Sequence, residues 1–289
     1  MRDCQYVIIT PIRDEEKYIE GTVESVCCQT TRPVEWVIVD DGSTDRTGDI
    51  IDRYAAHNAW IRVIHRKNRG FRNAGGGVME AFYDGYNAVQ YKEWDFIVKL
   101  DGDLSFAPDY FEKCFEYFRR DPELGIGGGE IHHDVSGTPK LEVSPRFHVR
   151  GATKIYRKAC WEAIGGLWPA PGWDTIDEVK GNMLGWKTYA FADLRLLHHR
   201  FTGSEEGLLR DRVKRGVACY VSRYHPIYVV ASCLNRLTQR PFMIGSAAQL
   251  YGFLKAHFSR PPRVEDRSYV AYIRGQQLRR LLGMQTIWR

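Results

Sequence analysis

Long apolar runs are missing from this sequence: none approaches the roughly 18 residues that a membrane-crossing helix needs. No membrane span is therefore expected. Cysteine is sparse and unordered, seven residues with one adjacent pair, Cys27-Cys28, and no C-x-x-C spacing. An odd number without a framework argues against a disulfide scaffold, a zinc ribbon or a redox motif, and it suits a reducing compartment. The phosphate-binding glycine spacings are absent too, since Gly75-Gly76-Gly77 fits neither G-x-G-x-x-G nor the P-loop. The N-terminus has no basic segment ahead of a long apolar core, and Tyr6–Thr10 already reads as a strand, so no leader is expected. A cytoplasmic protein is the expectation. At 289 residues, with 44% hydrophobic and 27% charged side chains, the chain suits one large domain with an appendage.

Charge is unevenly divided. Residues 200–289 hold 16 Lys/Arg against 5 Asp/Glu, which leaves a net −6 on residues 1–199. A basic tail on an acidic body predicts that the tail meets something anionic.

What is present is a repeated event: an apolar run that ends in carboxylates. Phe96-Ile97-Val98 and Leu100 have the pattern of a buried strand and stop at Asp101-Gly102-Asp103. Two anions so close are best tolerated beside a cation, and Mg2+ or Mn2+ prefers carboxylate oxygens while keeping places for phosphate. Trp36-Val37-Ile38-Val39 likewise runs into Asp40-Asp41-Gly42-Ser43-Thr44-Asp45. Taken singly, each cluster is also ordinary turn and cap chemistry. Helical spacing falls between the strands, over about 17–29, 45–56 and 78–89. That alternation predicts βαβ units and a mostly parallel sheet, whose strand ends share one ligand-binding edge.

Three stretches carry a resemblance: YVIITPIRDEEKYI at 6–19, VEWVIVDDGSTDRT at 34–47 and FIVKLDGDLSF at 96–106. Their order and spacing resemble the family 2 glycosyltransferases, inverting enzymes on the GT-A nucleotide-diphospho-sugar fold. The likeness covers about residues 5–200. It implies an α/β, Rossmann-like, mixed and mostly parallel sheet flanked by helices over residues 1–204, with a basic helical extension over 205–289. The activity implied is metal-dependent transfer of a sugar from a UDP- or GDP-sugar to a hydroxyl of a polysaccharide or lipid-linked acceptor. It implies that Thr10, Pro11, Arg13 and Glu15 line the nucleotide pocket, although Asn is common in the family where Arg13 stands. Asp41 would accept a hydrogen bond from the base, with Asp40 shaping the strand end. Asp101 would lie near ribose and metal, and Asp103 would ligate Mn2+ or Mg2+. Lys67, Arg69 and Arg72 are candidates for assisting phosphate.

In the second half, Arg146–Thr153 is expected as an edge strand near the acceptor and 157–163 as a helix. The family places an acidic motif about eleven residues before a helix-ending glycine. Counting back from Gly185 gives Asp174 as the base that takes the acceptor proton. Trp173 stands where the family commonly has Glu, and Asp177 is the rival. Phe191–Arg200 reads as a last strand ending in His198-His199, with His198 the better match for a metal ligand and Arg200 near the diphosphate. Thr202-Gly203-Ser204 would begin a loop that closes over the nucleotide.

The tail reads as helices at 208–220, 226–237, 246–258 and 269–282, broken at Arg260-Pro261-Pro262-Arg263. Short apolar runs beside arginines predict either a packed helical cap or helices lying on an anionic membrane surface, which would put the chain on the inner face of the cell membrane. The expected partners are a nucleotide-sugar, a glycan or lipid-linked acceptor and that membrane surface. A polyprenyl-phosphate sugar synthase is the near alternative. A non-catalytic nucleotide-sugar-binding membrane-associated protein is the alternative of another class. Nucleic-acid binding is not expected, because the tail has no recognisable module of interleaved aromatics.

Overall fold

The computed structural model describes residues 4–288 except 69, 71–75, 136, 137, 143, 201–206 and 239–241. The first half is built as expected. Strand β1 (Tyr6–Ile12) is buried along its whole length, as an apolar run covered on both faces must be. It is followed by α1 (Ile19–Cys27), β2 (Glu35–Asp40), α2 (Thr47–His57), β3 (Ile61–His65), α3 (Gly76–Ala88) and β4 (Phe96–Leu100). Then come β5 (Leu104–Phe106), α4 (Tyr110–Arg120), β6 (Leu124–Val135), β7 (Thr138–Leu141), β8 (Thr153–Arg157), α5 (Lys158–Ile164), α6 (Trp173–Met183) and β9 (Lys187–His198). Four helices close the chain: α7 (Leu208–Val221), α8 (Pro226–Leu234), α9 (Ile244–Ser259) and α10 (Arg267–Leu281).

The strands form one sheet in the order β3-β2-β1-β4-β8-β6-β9-β5, with β7 added on β6. Strands β1, β2, β3, β4, β6 and β9 run one way, and β5, β7 and β8 run against them. The carboxyl ends of β2, β1 and β4 therefore share one rim. Alternate residues of each strand feed opposite cores. Tyr6, Ile8, Trp36, Ile38, Phe96 and Val98 pack under α1, α2 and α4. Val7, Ile9, Val37, Val39 and Ile97 pack under α3 and α5. A third core joins Ile176 and Val179 of α6 to Tyr220, Val229, Phe253, Tyr269 and Ile273 of the closing helices.

One expectation is corrected. Residues 144–152 are not an edge strand: the strand begins at Thr153 and lies inside the sheet, between β4 and β6. Its Lys154 broke the apolar pattern, yet that lysine is fully buried by ion pairing. The glycine run 125–129 is the start of the 12-residue strand β6. A Cβ on Gly127 would fall 2.5 Å from the Phe191 ring, so the missing side chains make room for aromatic packing. Among the described residues no helix is long and apolar enough to cross a membrane.

Helices α7 and α9 touch through backbone at two glycines. A Cβ at Gly252 would sit 2.1 Å from the Val213 carbonyl oxygen, and one at Gly216 would sit 2.0 Å from the Gln249 carbonyl oxygen. Gly252→Val is expected to lower stability in urea by about 1–3 kcal/mol or more, the usual cost of overpacking. Gly275→Ala on α10, where a Cβ meets nothing within 4 Å, is the control and is expected to gain up to about 1 kcal/mol. Equal melting of the two variants would remove the close crossing from the description.

Candidate active site

The rim is assembled by strand register. Asp41 follows β2, and its N–H donates to the Ile12 carbonyl at 2.8 Å. Its carboxylate is held by Arg66, Nη1 to Oδ1 at 2.5 Å, and Arg66 also reaches Asp84 at 2.8 Å. Arg13 donates to the Asp41 carbonyl at 3.2 Å and to Asn68 Oδ1 at 2.9 Å. Arg13 and Asp41 are thus brought together. The loops after β1 and β2 are stitched reciprocally: Thr44 N–H donates to Asp14 Oδ1 at 2.8 Å, and Glu16 N–H donates to Asp45 Oδ2 at 3.1 Å. The Glu15 N–H donates to Thr47 Oγ1 at 2.7 Å.

Asp40 has a different occupation. It accepts from the Ser43 N–H at 2.8 Å and lies 3.0 Å from His65 Nδ1, whose other nitrogen is 3.0 Å from Asp52. Burial would lower the His65 pKa, but the two carboxylates outweigh it and hold it above its ordinary value. Asp40 therefore braces the turn that follows β2. Thr10 is fully buried, and its hydroxyl accepts from the Trp36 indole at 2.9 Å. Its side chain belongs to the core beneath the rim, and Pro11 beside it is buried as well.

Asp101 and Asp103 flank the turn between β4 and β5. Because β5 pairs antiparallel with β9, Leu104 lies opposite His198, which carries the imidazole to the carboxylate one residue upstream. His198 Nε2 is 3.1 Å from Asp103 Oδ2. Ligand atoms of Asp101, Asp103 and His198 all lie within 4.8 Å of one another. His198 Nδ1 is buried with no hydrogen-bond partner among the described residues. Two carboxylates and an imidazole this close, with a donor atom unspent, fit a divalent cation. A second group of the same kind, His133, Glu142 and His198, shares that imidazole.

Each carboxylate of the pair has its own cation. Burial pushes Asp101 up, the Lys99 ammonium paired with it pulls it down, and Asp103 pushes it up again, leaving it raised. Burial also works against Asp103, but His198 and Arg200 outweigh it and hold its carboxyl low. Arg200 Nε is 3.7 Å from Asp103, and the same guanidinium is bonded to Glu15, so the two predicted contacts meet here. His199 points the other way, its Nε2 2.9 Å from Ser105 Oγ and its ring stacked on Tyr18. Lys67 is exposed, whereas Arg69, Arg72 and Thr202-Gly203-Ser204 lie outside the described residues.

A second group of buried charges is built on α6. Asp177 is 1% exposed and is gripped by Lys154 at 2.9 Å and by the Tyr156 hydroxyl at 2.5 Å. Glu178, also buried, accepts from the Val149 N–H at 2.7 Å and pairs with Lys154 at 2.8 Å. Burial and the Glu178 charge push Asp177 up to about 6 despite Lys154. Asp174 is placed differently: its side chain is 32% exposed and lines a cleft of about 520 Å3 between α6, the 144–150 loop and α7–α10. His148 bridges the two environments, 2.8 Å from Glu178 and 4.0 Å from Asp174. Burial would raise the Asp174 pKa, but His148, Lys154 and Arg150 hold it below the ordinary value. Asp174 is thus an ionised carboxylate facing open space, and Asp177 is a buried structural anion.

Sequence reasoning missed Arg66, His133, Glu142, Lys154 and Glu178. The signal available was charge inside apolar runs: Lys99 and Lys154 interrupt β4 and β8 at positions that face inward.

A family model described as "Glycosyl transferase family 2" matches residues 7–168, more than half of the chain. Glycosyltransferase GlyG of Streptococcus pneumoniae serotype 4 is 38% identical over 131 residues, 45% of this chain and 40% of GlyG. The chain spans 56% or less of the length of the first curated relatives it matches. Among solved structures, the mannosyltransferase PcManGT from Pyrobaculum calidifontis, in complex with GDP-Man and Mn2+, superposes with a TM-score of 0.57 at 15% identity. That match covers 99% of this chain and 77% of PcManGT. S. aureus TarS 1-349 in complex with UDP gives a TM-score of 0.54 at 16% identity, covering 96% of this chain and 86% of that one.

Lys154→Met leaves Asp177 and Glu178 buried without their common cation, and its expected cost in urea unfolding is about 3–5 kcal/mol. The triple variant with Asp177→Asn and Glu178→Gln is expected to recover part of that loss. A single variant as stable as the wild type would show that the buried pair is not what holds α6 to β8.

Proposed function

From the premise that the chain belongs to glycosyl transferase family 2, we propose an inverting reaction that moves one sugar from a UDP- or GDP-sugar to an acceptor hydroxyl. The observation that carries this reading is the meeting of Asp101, Asp103 and His198 within 4.8 Å, on the rim that also bears Asp41. The solved relatives with GDP-Man and Mn2+ and with UDP support the same donor class.

Asp41 and Arg13 receive the base and ribose above the Asp40 turn, with Thr10 and Pro11 supporting the rim from the core. Asp103 and His198 would hold Mn2+ or Mg2+, with Asp101 beside them. When bound, the ion supplies neutralising charge for the departing diphosphate. Arg200, released from Glu15, binds a diphosphate oxygen. Asp174 takes the proton from the acceptor hydroxyl as its oxygen bonds to the anomeric carbon. The bond from that carbon to the diphosphate breaks, and a single displacement inverts its configuration. His148 steadies the Asp174 charge, and Glu178 steadies His148.

Residues 205–289 form the acceptor side and rest on a membrane surface. Exposed Ile227, Val230 and Leu234 lie along one face of α8, and Ile244, Tyr251, Leu254 and Phe258 along one face of α9. Apolar faces flanked by Lys255 and Arg260 are what an interfacial helix presents to anionic lipid. A polysaccharide or lipid-linked acceptor follows from that position.

Donor binding is expected to appear as a rise in melting temperature with either UDP- or GDP-sugars in the presence of Mn2+ or Mg2+. A chelator or Asp103→Ala is expected to remove it. A shift unaffected by both would refute metal-assisted binding. Asp174→Asn is expected to lower kcat by about 10²–10⁴ while leaving the donor shift intact, the range lost with a general base. Full activity of that variant would move the nucleophile from a hydroxyl to a phosphate. Flotation with anionic vesicles at low salt tests the surface: the wild type is expected to float and Ile227→Glu/Phe258→Glu to sediment. A wild type that stays at the bottom contradicts the membrane assignment.

A further inference from the structure

The cleft that receives Asp174 has a second wall of unusual charge. Two of its acids are already spent, Glu142 on Arg150 and Asp211 on Arg215 at 3.1 Å. Asp174 then faces Lys214 of α7, Arg236 just past α8 and Arg280 of α10. Among the described residues neither Arg236 nor Arg280 makes an ion pair. Arg236 donates to the neutral Gln249 Oε1 at 3.4 Å, and the Arg280 guanidinium lies 5.9 Å over the Trp288 ring. Both guanidinium groups act on the Tyr228 phenol between them, opposing the rise that burial gives it. The Arg236 and Arg280 guanidinium groups, brought together from separate elements, repel one another unless an anion lies between them.

We propose that this cleft binds a phosphoryl group carried by the acceptor, through Arg236, Arg280 and Lys214, and so presents the acceptor hydroxyl to Asp174. The inference rests on the transfer reading above and names its acceptor class. Guanidinium forks from two elements match phosphate oxygens, which take several donors at once. Tyr228 and Trp288, their ring centroids 6.0 Å apart and their planes tilted by 38°, give the same wall an aromatic surface against which a sugar can pack. About 520 Å3 accommodates a phosphorylated sugar.

The test is calorimetric titration of the intact chain, without metal, using inorganic pyrophosphate in one arm and geranyl diphosphate in the other. The wild type is expected to bind both, and Arg236→Gln/Arg280→Gln to weaken binding at least about tenfold, since charge-assisted contacts are lost. Lys214→Glu, a change on an exposed side chain, is expected to weaken it as well and carries the test if the double variant does not fold. Tighter binding of geranyl diphosphate identifies a lipid-linked source, and equal binding a soluble one; either supports a phosphate site. Binding that survives in these variants but is lost in Arg200→Gln lies at the donor rim and overturns the proposal. So does a wild type that binds neither probe at about millimolar concentration. The donor-induced melting shift, measured on the same proteins, separates the two readings: phosphate binding without a donor shift leaves this site standing and removes the transferase assignment.

Discussion

Crowded carboxylates are the constraint on which this structure depends. Asp40, Asp41, Asp101, Asp103 and Glu15 gather on one rim, and each is matched to a separate basic side chain: His65, Arg66, Lys99, His198 and Arg200. Two like charges 4 Å apart at an effective dielectric of 20 repel by about 4 kcal/mol, a large part of the stability of a whole domain. The pairing is therefore a condition for placing the acids there at all. It also holds the Asp103 carboxyl low, whereas burial and the Asp103 charge leave Asp101 raised despite Lys99.

The partners come from far along the chain, which is why the fold had to exist before the charges could be matched. His198 reaches Asp103 across 95 residues because β9 runs antiparallel to β5. Lys154 reaches Asp177 because β8 lies inside the sheet beneath α6. This explains what the sequence disclosed and what it withheld. Period-two and period-3.6 patterns are local, so the strands and helices of the first hundred residues were legible, and so was the acidic end of each strand. Asp174 was singled out by its distance from Gly185, and it differs from Asp177 in exposure, 32% for its side chain against 1%.

Arg66 and Glu178 were not legible, because nothing local distinguishes a buried ion partner from a solvated side chain. The glycine run of β6 hid a strand for a related reason. Its environment is set by Phe191, which lies more than sixty residues later. The strand expected at 146–153 begins instead at Thr153, and pairing with two buried carboxylates is what allows Lys154 inside it.

Lys99 joins the β4–β5 turn to the start of α6. Its ammonium pairs with Asp101 and donates to the Gly151 carbonyl at 2.7 Å, and it lies 5.3 Å from the Trp173 ring centroid. Lys154 approaches the same ring at 5.6 Å. Trp173 occupies the position before Asp174 where a carboxylate is common in the family. Here α6 already carries Asp174, Asp177 and Glu178 within one and a half turns, with two lysines beneath them. A further anion would raise the repulsion that Lys154 already offsets. An aromatic face attracts both ammonium groups through its quadrupole without adding charge. The tryptophan thus lets the buried lysines remain where they contact Asp101 on one side and Asp174 on the other, which ties the geometry of the β4–β5 turn to that of the start of α6.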